Sequence, residues 1–165
     1  MVYAAGCGGE QRPVGGFLRV AEMIRQQLYI EKYDWVVYIY YAVDAYYIEE
    51  IMTQLYRIDC PFEFMRQAYE NMSANKLNQG LTYSNYGRRE TVMVIGLASS
   101  PAQYENSIQH ELRHLVDNMV EALNLKPGEP PGYLTGEVAM RMHPATKLLT
   151  CECECCKKRL KSMIG

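Results

Sequence analysis

Two of the chain's three histidines lie four residues apart, with a glutamate beside the first: His110, Glu111 and His114 in the stretch NSIQHELRHLVDN. On an α-helix, residues four apart lie on the same face, so both imidazoles can bind one metal ion. A neighbouring carboxylate can take a proton from water whose pKa a zinc ion has lowered. The spacing therefore predicts a zinc site with His110 and His114 as ligands and Glu111 as the catalytic general base.

The surrounding sequence predicts the helix that this chemistry requires. Two serines precede Pro101, a combination typical of a helix start. Apolar residues, among them Ile108, Leu112 and Leu115, then recur at helical spacing as far as Leu123. We therefore expect one helix from Pro101 to Leu123, with the histidine pair near its middle.

A zinc site needs a third protein ligand, and three residues after the motif are candidates: Glu129, Glu137 and His143. The helix continues for about 15 Å beyond His114, at 1.5 Å per residue, and the chain must return by a similar distance. A straight antiparallel partner helix favours Glu137 or His143, whereas a crossing helix can present its first turn to the metal. Helix geometry leaves the choice open.

Composition predicts an ordinary globular protein with a single domain over residues 1–165. The chain has 22% charged residues and a net charge of −2, which gives no indication of a nucleic-acid partner. Its longest apolar runs, such as WVVYIYYAV, have about half the length that a membrane-spanning helix requires, so no membrane partner is expected. Four of six cysteines crowd into CECECC, a spacing unsuited to a tetrahedral zinc site.

The remaining sequence predicts an α+β domain. DWVVYIYYAV is rich in β-branched and aromatic residues and predicts a strand covered on both faces, and GLTYSNYGRRETVMVIG predicts a hairpin. Further helices are expected from apolar spacing and proline positions. The expected segments are an N-terminal arm (1–16), helices (17–30, 44–58, 61–72 and 132–142, the last ending near His143 and Pro144), hairpin strands (81–85 and 90–96) and a cysteine-rich tail (145–165).

The order TVMVIGLASS, NSIQHELRHLVDNMVEAL and GEPPGYLTGEVA resembles the gluzincin type of zinc metallopeptidase, and more closely small peptidases of phages and mobile elements. The similarity covers about residues 77–142. In those relatives a glutamate precedes a short AYLxG element, which here reads EPPGYLTG, with Gly132 in place of the alanine. The resemblance implies that Glu129 is the third zinc ligand, beside His110 and His114.

The resemblance also implies a small zincin-like domain with a short mixed or antiparallel sheet, the motif helix and a following helix. It implies one zinc ion as cofactor, a peptide or protein as substrate and the cytoplasm of a bacterial host as location. Such enzymes align an extended peptide along an edge strand, which we expect at residues 90–97.

Two other classes of function remain alternatives. The chain could be a phage structural protein, such as a head-to-tail connector in the virion, that retains the fold and a structural or vestigial metal. Its arm, residues 1–16, would then contact an assembly partner. A catalytically silent binding module would instead bind zinc without hydrolysing any substrate.

Overall fold

The computed structural model describes residues 23–76, 80–155, 157–158 and 161. The expected N-terminal arm and the beginning of the expected first helix, residues 1–22, lie outside the described residues. In chain order, the main elements are β1 (Ile24–Ile30), β2 (Trp35–Val43), α1 (Ile48–Arg57), α2 (Phe62–Ser73), β3 (Gly80–Asn85), β4 (Glu90–Gly96), α3 (Pro101–Leu123) and α4 (Glu129–Thr150).

The four strands form one mixed sheet in the order β1-β2-β4-β3. Strand β2 is antiparallel to β1 and parallel to β4, and β3 is antiparallel to β4. The predicted α+β class, the short mixed sheet and the hairpin of β3 and β4 are therefore confirmed. The expectation that residues 90–97 form an edge is wrong, because β4 lies between β2 and β3 and pairs with both. The edge on this side of the sheet is β3.

Helices cover both faces of the sheet. Side chains of α3 and α4 pack against one face, and those of α1 and α2 pack against the other. Alternate residues of the central strands point to opposite layers: Met93 and Ile95 lie in the first, and Val92 and Val94 lie in the second. Burial on both faces explains why β2 and β4 are almost continuously apolar. The strand predicted at 34–43 is confirmed as β2.

The segment Ile24–Ile30 is a strand, so the helix predicted over residues 17–30 is wrong for these residues. Its buried positions alternate with exposed ones, as they do in a half-buried strand. One buried position holds a polar residue, Gln26, which hides this alternation in the sequence. The side chain of Gln26 accepts a hydrogen bond from Tyr41 (2.7 Å) and donates one to the carbonyl oxygen of Arg141 (2.8 Å). Both polar groups of this buried side chain therefore have hydrogen-bond partners.

The predicted pair of helices after β2 is confirmed as α1 and α2, which pack against each other. Asp44, the expected N-cap, caps a short 3-10 turn, Ala45–Tyr47, that precedes α1. Its carboxylate accepts a hydrogen bond from the backbone N–H of Tyr46 at 2.9 Å. The helical segment therefore begins where the sequence predicts, but its first turn is tighter than an α-helix.

Helix α3 begins at Pro101 and ends at Leu123, as predicted. The Ser100 hydroxyl accepts a hydrogen bond from the backbone N–H of Gln103 at 3.2 Å, which is the N-cap that the serine and proline pattern predicts. Asn124 ends the helix in the left-handed conformation, with φ at 50°.

Helix α4 is longer at both ends than the predicted segment 132–142. Pro130 and Pro131 lie in its first turn, where a missing N–H removes no helical hydrogen bond. The expected stop near His143 is wrong, because the helix passes through Pro144 and continues to Thr150. The buried residues beyond the proline are Ala145, Leu148 and Leu149. Their packing offsets the cost of the proline, and the first six residues of the expected tail therefore belong to the helix.

Residues 124–128 join α3 to α4, and the two helices pack against each other and against the sheet. They are 23 and 22 residues long. None of the helices in the described part of the chain combines the length and the apolarity needed to cross a lipid bilayer.

Candidate metal centre

The imidazoles of His110 and His114 face each other across one turn on the exposed side of α3. Their Nε2 atoms are 3.1 Å apart, and their ring planes are nearly perpendicular. Two nitrogens that bind a tetrahedral zinc ion at about 2.0–2.1 Å each are separated by about 3.3 Å. The separation of the two nitrogens in the structure is therefore close to this value.

Glu111 lies on the adjoining, inward side of the same helix and is only 2% exposed. The hydroxyl of Thr82 on β3 donates a hydrogen bond to its Oε2 at 2.7 Å. The same hydroxyl is 3.4 Å from the backbone carbonyl oxygen of Glu111. Among the described residues, no other donor binds this carboxylate. Thr82 is therefore its main polar partner.

Burial raises the pKa of Glu111 above its ordinary value, because an ionised carboxylate loses solvation in the protein interior. The hydrogen bond from Thr82 and the charges of His114 and His110 lower the pKa but do not cancel the effect of burial. A raised pKa suits a group that must accept a proton and then return it.

Strand β3 approaches α3 closely at Gly80. A Cβ atom at this position would overlap the carbonyl oxygen of Val94 and would lie 2.9 Å from Cγ of Glu111. The absence of a side chain therefore makes room for the carboxylate. Neither Gly80 nor Thr82 is predicted as a site residue by the motif. A signal exists, however, in GLTYSN, where Gly80, Thr82 and Ser84 place three small residues on one face of the strand.

A chain of hydrogen bonds fastens α3 to the sheet two turns beyond Glu111. The indole N–H of Trp35 donates to Thr91 at 2.9 Å, and the hydroxyls of Thr91 and Ser84 are 2.8 Å apart. The amide of Asn118 then donates to Ser84 at 3.0 Å. This network joins β2, β4, β3 and α3 and fixes the orientation of the helix relative to the edge strand.

The three candidates for the third ligand all lie on α4. Glu129 is its first residue and is exposed, and His143 is also exposed. Glu137 forms an ion pair with Arg141 at 2.8 Å. Within the described part of the chain, no three His, Cys, Asp or Glu side chains are close enough together to share a metal ion. The structure therefore brings together His110 and His114 but places none of the three candidates beside them.

We compared the chain with models of protein families, with curated proteins and with solved structures, and none of them matched. The resemblance to gluzincins therefore stays a prediction.

Proposed function

We propose that the chain is a zinc-dependent metallopeptidase that hydrolyses peptide bonds within a zincin-like fold. The observation that most supports this proposal is the arrangement of three groups on α3. The Nε2 atoms of His110 and His114 are 3.1 Å apart on its exposed side. The carboxylate of Glu111 is buried beside them, close enough for their charges to influence its pKa.

In this proposal each of the two histidines coordinates the metal through one ring nitrogen. A zinc ion, when bound, supplies Lewis acidity toward water and toward the scissile carbonyl group. Glu111 accepts one proton from the attacking water and donates the same proton to the departing amine, so its charge is restored after each turnover. Oε1 is the atom for this transfer, because Oε2 accepts the hydrogen bond from Thr82.

We propose Glu129 as the third ligand, as the resemblance implies. Its exposed carboxylate forms no ion pair with any described residue, whereas Glu137 is bound to Arg141. Arg141 also binds Glu31 at 2.7 Å, so recruiting Glu137 would disturb the contact between α4 and the turn that joins β1 to β2. Coordination by Glu129 requires the first turn of α4 to approach the histidines. Gly128, which precedes that turn with φ at 105°, gives the backbone conformational freedom there.

Zinc affinity tests this choice. Loss of groups that merely support a ligand costs about 10–100-fold in affinity, so Glu129→Gln should weaken zinc binding by more than about a hundredfold. Glu137→Gln and His143→Ala should remain within about threefold of the wild type, because in this proposal neither residue touches the metal. Strong weakening by either of these two variants, with Glu129→Gln unaffected, would reassign the ligand.

We infer that the substrate is an extended peptide that adds to the outer edge of β3. This strand carries Thr82, the partner of Glu111, and no described strand pairs with its outer edge. Backbone hydrogen bonds to a sheet edge give affinity that is largely independent of side chains. Peptides extended on both sides of the cleaved bond should therefore show a higher kcat/KM than dipeptides.

Metal content and hydrolysis of an unfolded protein together test the proposed function. The wild type should bind one zinc ion per chain and lose hydrolysis when a chelator removes it. Glu111→Gln should keep zinc and lose hydrolysis, and His114→Ala should lose both. Arg113→Gln is the matched control. Arg113 lies between Glu111 and His114 in the sequence, but its side chain is exposed and pairs with Asp117.

The proposal is excluded if the wild-type protein carries no stoichiometric zinc and the His114→Ala substitution does not change its properties. Zinc binding without hydrolysis of any unfolded substrate would instead identify a binding module. Elution of the purified chain as a large ring would support the alternative of a phage assembly component.

A further inference from the structure

We propose that Thr82 is a positioning residue for the peptidase reaction, since its hydroxyl selects which carboxylate oxygen of Glu111 faces the attacking water. The inference depends on the proposed function, because it assigns a task to a residue that would act through the general base. Thr82 lies on the edge strand, outside the helix that carries the metal motif.

The hydrogen bond has good geometry. Oγ1 of Thr82 is 2.7 Å from Oε2 of Glu111, which is an ordinary distance for an O–H···O bond. A hydroxyl has one hydrogen, and the backbone carbonyl oxygen of Glu111 is farther away, at 3.4 Å. The hydrogen is therefore directed to the carboxylate, and Oε1 is left for a different partner.

Gly80 supplies a steric constraint on the same side chain. An added Cβ atom at Gly80 would lie 2.9 Å from Cγ and 3.1 Å from Cδ of Glu111, so the carboxylate stem lies over the bare backbone of this residue. Gly80 and Thr82 are two positions apart and lie on one face of β3. Gly80 therefore restricts where the aliphatic part of the Glu111 side chain can lie, and Thr82 holds its carboxylate group in place.

Orientation matters because the terminal torsion of a glutamate side chain is broad and intrinsically unselective. With the hydroxyl removed, none of the described residues distinguishes the two oxygens of Glu111. The carboxylate would then spend part of its time in orientations that are poor for proton transfer. Misplacement by about 1 Å can cost on the order of a hundredfold in rate. The effect should appear in kcat, because the hydroxyl binds the proposed general base and has no proposed contact with zinc or with the peptide.

The test compares Thr82→Val, which removes the hydroxyl and keeps the shape, with Thr82→Ser, which keeps the hydroxyl. Thr82→Val should lower kcat by about tenfold to a hundredfold, with KM and zinc content within about twofold of the wild type. Thr82→Ser should restore kcat to within about threefold. Ser84→Ala is the matched control, because Ser84 lies on the same face of β3 but is bonded to Thr91 and Asn118. It should leave kcat within about twofold.

A crystal structure of Thr82→Val gives a readout that does not depend on activity. The Glu111 carboxylate should occupy more than one orientation, with the backbone of β3 and α3 unchanged. A single wild-type orientation together with wild-type kcat would overturn the role of Thr82 and leave the peptidase proposal intact. A wild-type protein without zinc-dependent hydrolysis would overturn both. Equal losses of kcat in Thr82→Val and Ser84→Ala would show that the hydroxyl acts only through the fold.

Discussion

The contact between α3 and β3 differs in chemical character at its two ends. At one end, Asn118 and Ser84 continue into neutral hydrogen bonds with Thr91 and Trp35, and each of these side chains has a partner. At the other end, seven residues earlier on the same helix, Glu111 buries a carboxylate that has one side-chain donor.

The difference separates polar groups that hold the fold together from polar groups that serve a site. A neutral, fully bonded network adds to stability and specifies how the elements pack. A buried carboxylate with a single donor costs stability, and such groups are concentrated at functional sites. We therefore expect variants at the two ends to separate activity from stability.

The largest difference should appear in catalysis. Glu111→Gln should lower kcat by about 10²–10⁴-fold, since it removes the general base. Ser84→Ala, at the neutral end, should leave kcat within about twofold. Steady-state kinetics on zinc-loaded proteins measure both. Similar losses for the two variants would show that the ends do not differ in function.

The next difference concerns the close approach at Gly80. Gly80→Ala should lower the free energy of unfolding by about 1–3 kcal/mol and also lower kcat, because the new methyl group collides with the Val94 carbonyl group and crowds Glu111. The matched control is Gly136→Ala on α4, where a Cβ atom meets nothing within 4 Å. That variant should increase stability by up to about 1 kcal/mol, since alanine is the better helix former. Urea denaturation distinguishes the two, and a tolerated Gly80→Ala would contradict the tight packing.

The neutral end should matter for stability alone. Ser84→Ala should lower the free energy of unfolding by about 1–3 kcal/mol, because the buried Thr91 hydroxyl and the half-buried Asn118 amide each lose a hydrogen bond. The loss should be similar at pH 5 and pH 7, since none of Trp35, Thr91, Ser84 and Asn118 titrates in this range. A loss that depends strongly on pH would show that the network is coupled to the carboxylate end.

The smallest effect should be a pH-dependent gain of stability in metal-free Glu111→Gln. Because burial raises the folded-state pKa of Glu111, the folded wild type binds this proton more tightly than the unfolded chain does. Ionisation therefore costs the wild type stability as the pH rises through the folded-state pKa. With a chelator present, Glu111→Gln should melt at a higher temperature than the wild type at pH 7. The difference should shrink as the pH falls toward the unfolded pKa, and parallel melting curves at all pH values would contradict it.

Elements whose signals are local could be predicted from the sequence. Helix α3 has an N-cap serine, an N-terminal proline and a regular apolar face, and the β3–β4 hairpin has a clear turn. Strand β1 has no clear local signal, because the buried Gln26 interrupts its apolar alternation and the hydrogen-bond partners of Gln26 come from β2 and α4. The extent of α4 cannot be predicted locally, because Pro144 is tolerated through tertiary packing, which local propensity does not describe.

The same difference between local signals and tertiary packing applies to the candidate site. His110, Glu111 and His114 could be predicted because their relation depends only on the pitch of one helix. The roles of Gly80 and Thr82 could not, because they depend on β3 being the edge strand beside α3, whereas the sequence predicts the edge at residues 90–97. The third ligand remained open for a related reason, since it depends on how α4 approaches α3.

Anomalous scattering at the zinc absorption edge, from crystals of the zinc-loaded chain, would show directly whether His110 and His114 bind one metal ion. We expect one peak at about 2.0–2.1 Å from Nε2 of both His110 and His114, with a carboxylate of α4 as a further ligand. Crystals grown with zinc that show no peak between these two nitrogens would contradict it.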